Sequence, residues 1–154
     1  MEYSERLATA VRPALLADER LVAVVPADAE PSGDDRGHWA RPARGLRGSD
    51  VLVREHAPPP DFPATGRLAL VLTDRRLRVY RRRRLRAAPA RHLVDIPIDA
   101  IGNVEGTFQP ASGVSEFELM LILSDGTAVA LHVPSGHADG GKEFVRRAQA
   151  LLRH

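Results

Sequence analysis

The sequence predicts a mainly β domain, with one helix before the strands and one after them. Three observations carry that expectation. Apolar residues alternate with others in short runs, at Leu68, Leu70 and Leu72 and again at Leu119 and Leu121. Turn-forming residues separate such runs, Asp74 in one case and Asp125-Gly126 in another. The last segment switches to helical spacing, with Phe144, Val145, Ala148, Leu151 and Leu152 on one stripe. A chain of 154 residues has room for one domain, 1–154, with a substantial core.

The elements follow in order. Ser4 can cap a first helix over 4–16, with Leu7, Val11 and Leu15 on one face. Pro13 predicts that this helix is kinked or in two pieces. Leu21–Val25 reads as a short strand stopped by Pro26. Residues 27–66 form a long insertion between the first and second strands. Six prolines and five glycines fall between Pro31 and Gly66, and only Val51–Arg54 looks strand-like. A connection of that length points to function or to disorder. Its Trp39 stands among Arg36, Arg41, Arg44 and Arg47. The segment therefore reads either as a mobile insertion or as a contact loop, with Trp39 as anchor and the arginines meeting anionic groups.

Regularity returns at Arg67. A turn at Thr73-Asp74-Arg75-Arg76 sets Leu72 opposite Leu77 and Leu70 opposite Val79, which gives a hairpin with one leucine-rich face. Arg76, Arg78 and Tyr80 then point away from the core, with Arg76 and Arg78 read as a solvated face. Continued alternation would drive Arg81 and Arg83 inward, so the strand ends near residue 80. Arg81, Arg82, Arg83, Arg84 and Arg86 are placed in a loop running to about Arg91. Further strands are expected at Leu93–Ile98 and Ile101–Thr107. In FELMLILSDGTAVALHV, residues 117–133, a three-residue loop with left-handed Gly126 aligns Leu119 with Leu131 and Leu121 with Val129. The outer face of that hairpin carries Met120 and Ile122. These need a cover, either the N-terminal helix or a second subunit, so a homo-oligomer is one expectation. The closing helix is expected over 139–153, capped by Asp139.

Charge is unevenly spread. The net is +2, yet residues 67–91 hold ten arginines against one acid, Asp74, while the remainder is net −7. Such polarity steers an anionic partner. Lys142 is the one lysine among 22 basic residues. With so much Ala, Arg, Pro and Gly, this bias fits a high-GC bacterial genome, in which arginine is the default surface cation. There is no cysteine, hence no disulfide or thiolate chemistry. No apolar run reaches transmembrane length, and the charged start does not read as a signal peptide. A cytoplasmic location is expected, with the inner membrane face as a peripheral alternative.

Motifs with chemistry fall away on inspection. GHADGGKE, residues 136–143, has the G-x-x-x-x-G-K spacing of a phosphate loop. Glu143 replaces the metal-holding Ser/Thr, however, and too little chain follows for a parallel sheet. The six histidines show no helical metal-ligand spacing. Glu116 and Glu118 share a strand face without marking a pocket, and Ser135-Gly136-His137 lacks an orienting acid. The expectation is a non-enzyme with no cofactor and no metal.

Seven short strands in hairpin order, closed by an amphipathic helix, resemble the pleckstrin-homology-like superfold, especially bacterial PH/GRAM-like domains. The stretches LLADERLVAVV, GRLALVLTDRRLRVY, VDIPIDAIGNVEG, FELMLILSDGTAVALHV and KEFVRRAQALL carry the likeness. It implies a bent antiparallel sheet or partly open barrel, plugged at one end by the C-terminal helix. It further implies that residues 26–66, 81–92 and 124–126 gather at the other end. The basic pattern of phosphoinositide-binding members is missing from Val24-Val25-Pro26 and from Arg67-Leu68-Ala69. The functional expectation is an interaction domain that meets a protein or an anionic membrane surface. Its contact residues would be Arg81, Arg82, Arg83, Arg84, Arg86, Trp39, Arg41 and Arg44. Nucleic acid is the alternative partner, and a small-molecule enzyme is the third reading.

Overall fold

The computed structural model describes residues 3–29, 62–63, 66–82, 91–111, 114–134 and 136–153. Helix α1 (Tyr3–Val11) and a one-turn 3-10 helix (Arg12–Ala14) come first, then strand β1 (Leu21–Asp28). Strands β2 (Arg67–Thr73), β3 (Arg76–Arg81) and β4 (Arg91–Pro97) follow, with a second 3-10 turn at Ile98–Ala100. Strands β5 (Ile101–Ala111), β6 (Val114–Leu123) and β7 (Ala128–Val133) lead to helix α2 (Ala138–Leu152). The seven strands make one antiparallel sheet in the order β4-β3-β2-β1-β7-β6-β5. It is not closed, and β4 and β5 are its edges. No helix among the described residues is long and apolar enough to cross a membrane.

Both hairpin registers follow from side-chain parity. Leu70 pairs with Val79 and Leu72 with Leu77. Leu119 pairs with Leu131 and Leu121 with Val129. Gly126 has φ +93°, a left-handed conformation that a side chain would strain, and it lets a three-residue loop close the second hairpin. Leu123 N–H donates to the Thr127 carbonyl at 2.9 Å across that loop.

The inner face is the main core. Leu68, Leu70, Leu72, Leu77, Val79, Leu119, Leu121, Val129 and Leu131 meet Phe144, Val145 and Ala148 of α2 there. Phe62, which precedes β2, is also in this core, 6% exposed. The opposite face of β1–β3 is not left to solvent. Leu7 and Val11 of α1 pack on Ala69, Val71 and Tyr80. Strand β2 is thus buried on both sides, which explains why LALVL reads as a continuous apolar run and not as an alternation.

Several expected boundaries move. The first helix does break near Pro13, but α1 already includes Ser4, which therefore does not cap it, and Leu15 lies beyond both helical pieces. Pro26 does not stop β1; it pairs with Ala69 inside the strand. Among the described residues β1 meets β7 at one rung only, Asp28↔His132. The β7 side of β1 is therefore unladdered at Pro26, and a proline without N–H is tolerated there. Helix α2 starts at Ala138 with His137 as its N-cap residue and no side-chain cap bond. Asp139 instead lies in its first turn, where a carboxylate favours the helix dipole. Strand β4 begins at Arg91 and β5 runs on to Ala111, both longer than alternation alone suggests. Of the 27–66 insertion, residues 30–61 and 64–65 lie outside the described residues, Val51–Arg54 with them.

Helix α2 reaches the sheet through two glycines. A Cβ on Gly106 of β5 would lie 2.2 Å from the Phe117 ring, and one on Gly141 of α2 would lie 2.7 Å from it. Phe117, 4% exposed, is clamped between them. Gly106→Ala and Gly141→Ala are each expected to lower the unfolding free energy by about 1–3 kcal/mol through overpacking. Urea unfolding monitored by circular dichroism checks this; unchanged midpoints in both variants would contradict the clamp.

Candidate functional site

The arginine run 73–86 divides according to which acids the fold brings to it. Its first part is the tip and outer face of the β2–β3 hairpin. Glu19, just before β1, has a side chain with no exposure at all. A buried carboxylate needs partners, and Glu19 has four donors. They are the Leu16 N–H at 2.9 Å, the Thr73 hydroxyl at 2.6 Å, and Arg76 Nε and Nη2 at 2.9 and 3.0 Å. Arg76 Nη1 turns the other way, to Asp95 of β4 at 3.1 Å. Asp95 also accepts from Arg78 Nε at 3.0 Å and lies 2.7 Å from His92 Nε2. The tip itself is tied down by an Arg75–Asp18 ion pair and by two bonds of 3.0 Å, the Arg20 N–H donating to Asp74 Oδ1 and the Asp74 N–H to the Arg20 carbonyl.

Arg76 and Arg78 are therefore not the solvated face that alternation suggested. Their side chains are 23% and 12% exposed, and both are ion-paired. They do point away from the main core, but that side of the sheet is packed under α1 and bridged by acids distant in sequence. Tyr80, expected outside, is 6% exposed beneath α1, with the Arg78 guanidinium 5.4 Å from its ring centroid. The hydrogen bonds from Arg76 hold the Glu19 carboxyl at about 2, against its ordinary 4.5. Burial alone would raise Asp95, yet bonds from His92 and Arg78 keep it below the usual carboxylate value.

The second part of the run lies at the opposite end of the hairpin. Arg81 closes β3 opposite Arg91 of β4, and Arg67 opens β2 opposite Asp28. Arg82 N–H donates to the Arg67 carbonyl at 2.8 Å. Four arginines, at 67, 81, 82 and 91, thus gather at one end of the sheet. The one acid on β1–β4 at that end is Asp28. It is already engaged, because Arg82 forms an ion pair with it and donates through Nε to the Leu68 carbonyl at 3.1 Å. The Arg82 side chain is 11% exposed, so its guanidinium serves the fold. Arg81 is half-buried, while Arg67 and Arg91 are exposed. Of the residues singled out from sequence, Arg81 and Arg82 are brought to this end. Arg83, Arg84, Arg86, Trp39, Arg41 and Arg44 lie outside the described residues. Arg67 and Arg91 were missed as contact residues; the signal was their place at the strand starts, directly across from Asp28 and Arg81.

The remaining candidates are elsewhere. Met120 and Ile122 are 1% and 9% exposed within the single chain. Helix α1 packs on β1–β3. Among the described residues no group of three His, Asp or Glu side chains is placed to hold a metal. No protein-family model matches this chain, and no curated protein matches it significantly.

Glu19 offers a sharp pH test. Its folded-state pKa is depressed, so its contribution is complete above about 4.5 and is lost as pH falls toward about 2. Glu19→Gln should remove that acid-dependent component and cost about 3 kcal/mol near neutrality, because Arg76 is left without its buried partner. Urea midpoints measured from pH 7 downward check both statements. A variant as stable as wild type at pH 7 would show that the buried pair holds nothing together.

Proposed function

We propose that this chain is a non-catalytic, PH-like interaction domain whose arginine end meets an anionic surface, on a membrane or on a protein partner. One observation carries the reading. Arg67 and Arg91 stand exposed beside Arg81 and Arg82, and the nearest acid, Asp28, is taken by Arg82. Among the described residues, Arg67 and Arg91 add positive charge at this end for which no ion pair is formed, unlike the Glu19–Asp95 region, where guanidinium and carboxylate are matched. The chain then continues from Arg82 into Arg83, Arg84 and Arg86. Each cation near an acidic leaflet contributes about 1 kcal/mol, so a handful supports reversible rather than stable attachment.

The sheet order and the closing helix support the PH-like part of the reading, since β1–β2 and β3–β4 both connect at the arginine end. The packed aliphatic inner face favours a surface over an internal small-molecule cavity. Burial of Tyr80 beneath α1 removes the aromatic nearest the run as a stacking platform, which disfavours single-stranded nucleic acid.

Liposome co-sedimentation tests the membrane form. Binding should rise with phosphatidylserine content and fall with added salt. The double variant Arg67→Ala/Arg91→Ala should retain less than about half of it, at roughly 1 kcal/mol per charge removed. Sedimentation that ignores lipid charge and salt sinks the membrane form. A mobility shift on single-stranded DNA that is lost in the same variant would transfer the reading to nucleic acid.

A further inference from the structure

A second surface, using none of the arginine-end residues, lies where the edge of β5 meets α2. Two large apolar side chains are exposed among the described residues, Leu16 at 53% and Phe108 at 43%. Phe108 is the one on a strand. Because β5 ends the sheet, one side of its backbone has no strand partner among the described residues, and such an edge is a template for an incoming strand. The Val104 carbonyl is met by Gln149 Nε2 at 2.8 Å. Alternation along the strand carries the backbone groups of Gly106 and Phe108 to the same side as that carbonyl.

Beside this edge is a groove of about 290 Å³, lined by Gly106, Phe108, Phe117, Lys142, Arg146 and Gln149 among others. The Phe108 and Phe117 rings meet edge to face, with centroids 5.3 Å apart. The lining includes two cations and no carboxylate. Arg146 is held by Glu143. Lys142 is exposed, and its ammonium lies 5.1 Å from the Phe108 ring centroid. No carboxylate pairs with it among the described residues. It is also the sole lysine of a chain with 22 basic residues. A lysine presents a compact ammonium with three rotatable donors, where an arginine would present a planar fork.

We propose that this groove binds an extended segment of a partner protein, which adds to β5 as an eighth strand. An apolar side chain of that segment rests on the Phe108 and Phe117 rings, and an acidic side chain meets Lys142. The backbone edge selects an extended rather than a helical occupant. Lys142, together with a lining that holds no carboxylate, selects an acidic one.

Selection of random peptides displayed on phage, against the full chain, tests this directly. The enriched sequences should pair an acidic with an apolar residue and contain no proline at the positions that add to β5. A synthetic peptide of the enriched sequence should bind Lys142→Glu and Phe108→Ser about tenfold more weakly than wild type, and Lys142→Arg within about threefold of it. Arg67→Ala/Arg91→Ala should leave its affinity unchanged. Both altered positions are exposed, and thermal melts of the variants verify the fold. No enrichment, a basic consensus, or affinity indifferent to Lys142→Glu would each overturn the proposal. Loss in Arg67→Ala/Arg91→Ala would do so too, because it would place the peptide at the arginine end. That last variant also keeps the two surfaces apart, since failure of one reading leaves the other standing.

Discussion

One buried carboxylate organises the outer face of this sheet. Glu19 has no solvent to stabilise its charge, so its oxygens are filled by a backbone N–H, a hydroxyl and a bidentate guanidinium. That demand fixes the turn before β1 against the β2–β3 tip. It also fixes Arg76, whose remaining arm reaches Asp95 and brings β4 into the same network. Arg78 and His92 then settle on Asp95. The long row of arginines is thereby sorted. Arg76, Arg78 and Arg82 are held by Glu19, Asp95 or Asp28 and serve the fold, while Arg67 and Arg91 are exposed.

Much of the architecture was legible because it rests on parity. Two residues per repeat fix which side chains share a face, so both hairpin registers could be read from leucine positions alone. The closing helix was legible for the same kind of reason, through its stripe at Phe144, Val145 and Ala148. What parity does not tell is what lies across a face. Arg76 and Arg78 alternate as solvent residues do, yet their partners stand at Glu19 and Asp95, far off in sequence. Pro26 looked like a stop because local rules treat a strand as laddered on both sides, whereas β1 is laddered here on one. At the arginine end Arg81 and Arg82 were legible from the broken alternation after Tyr80. Arg67 and Arg91 were not, because only strand pairing brings them beside that run.

The packing also accounts for the unusual look of β2. With α2 on the inner side and α1 on the outer, LALVL has no solvent side to advertise, and its apolar residues run without interruption. Helix α1 is short, so its hold on the sheet depends on Leu7 and Val11 seated over Ala69, Val71 and Tyr80. Among the described residues, the buried Tyr3 and Tyr80 hydroxyls have no hydrogen-bond partner.

Among the described residues, one rung joins β1 to β7. Strands β1–β4 form one ribbon of hairpin-linked or adjacent pairs, and β5–β7 form another. Between the ribbons, among the described residues, the backbone is stitched only at Asp28 and His132. Side chains also cross between the ribbons, with Phe144 and Val145 of α2 sharing one core with Val25 of β1 and Leu119 of β6. A substitution that shifts α2 would therefore reach both ribbons at once.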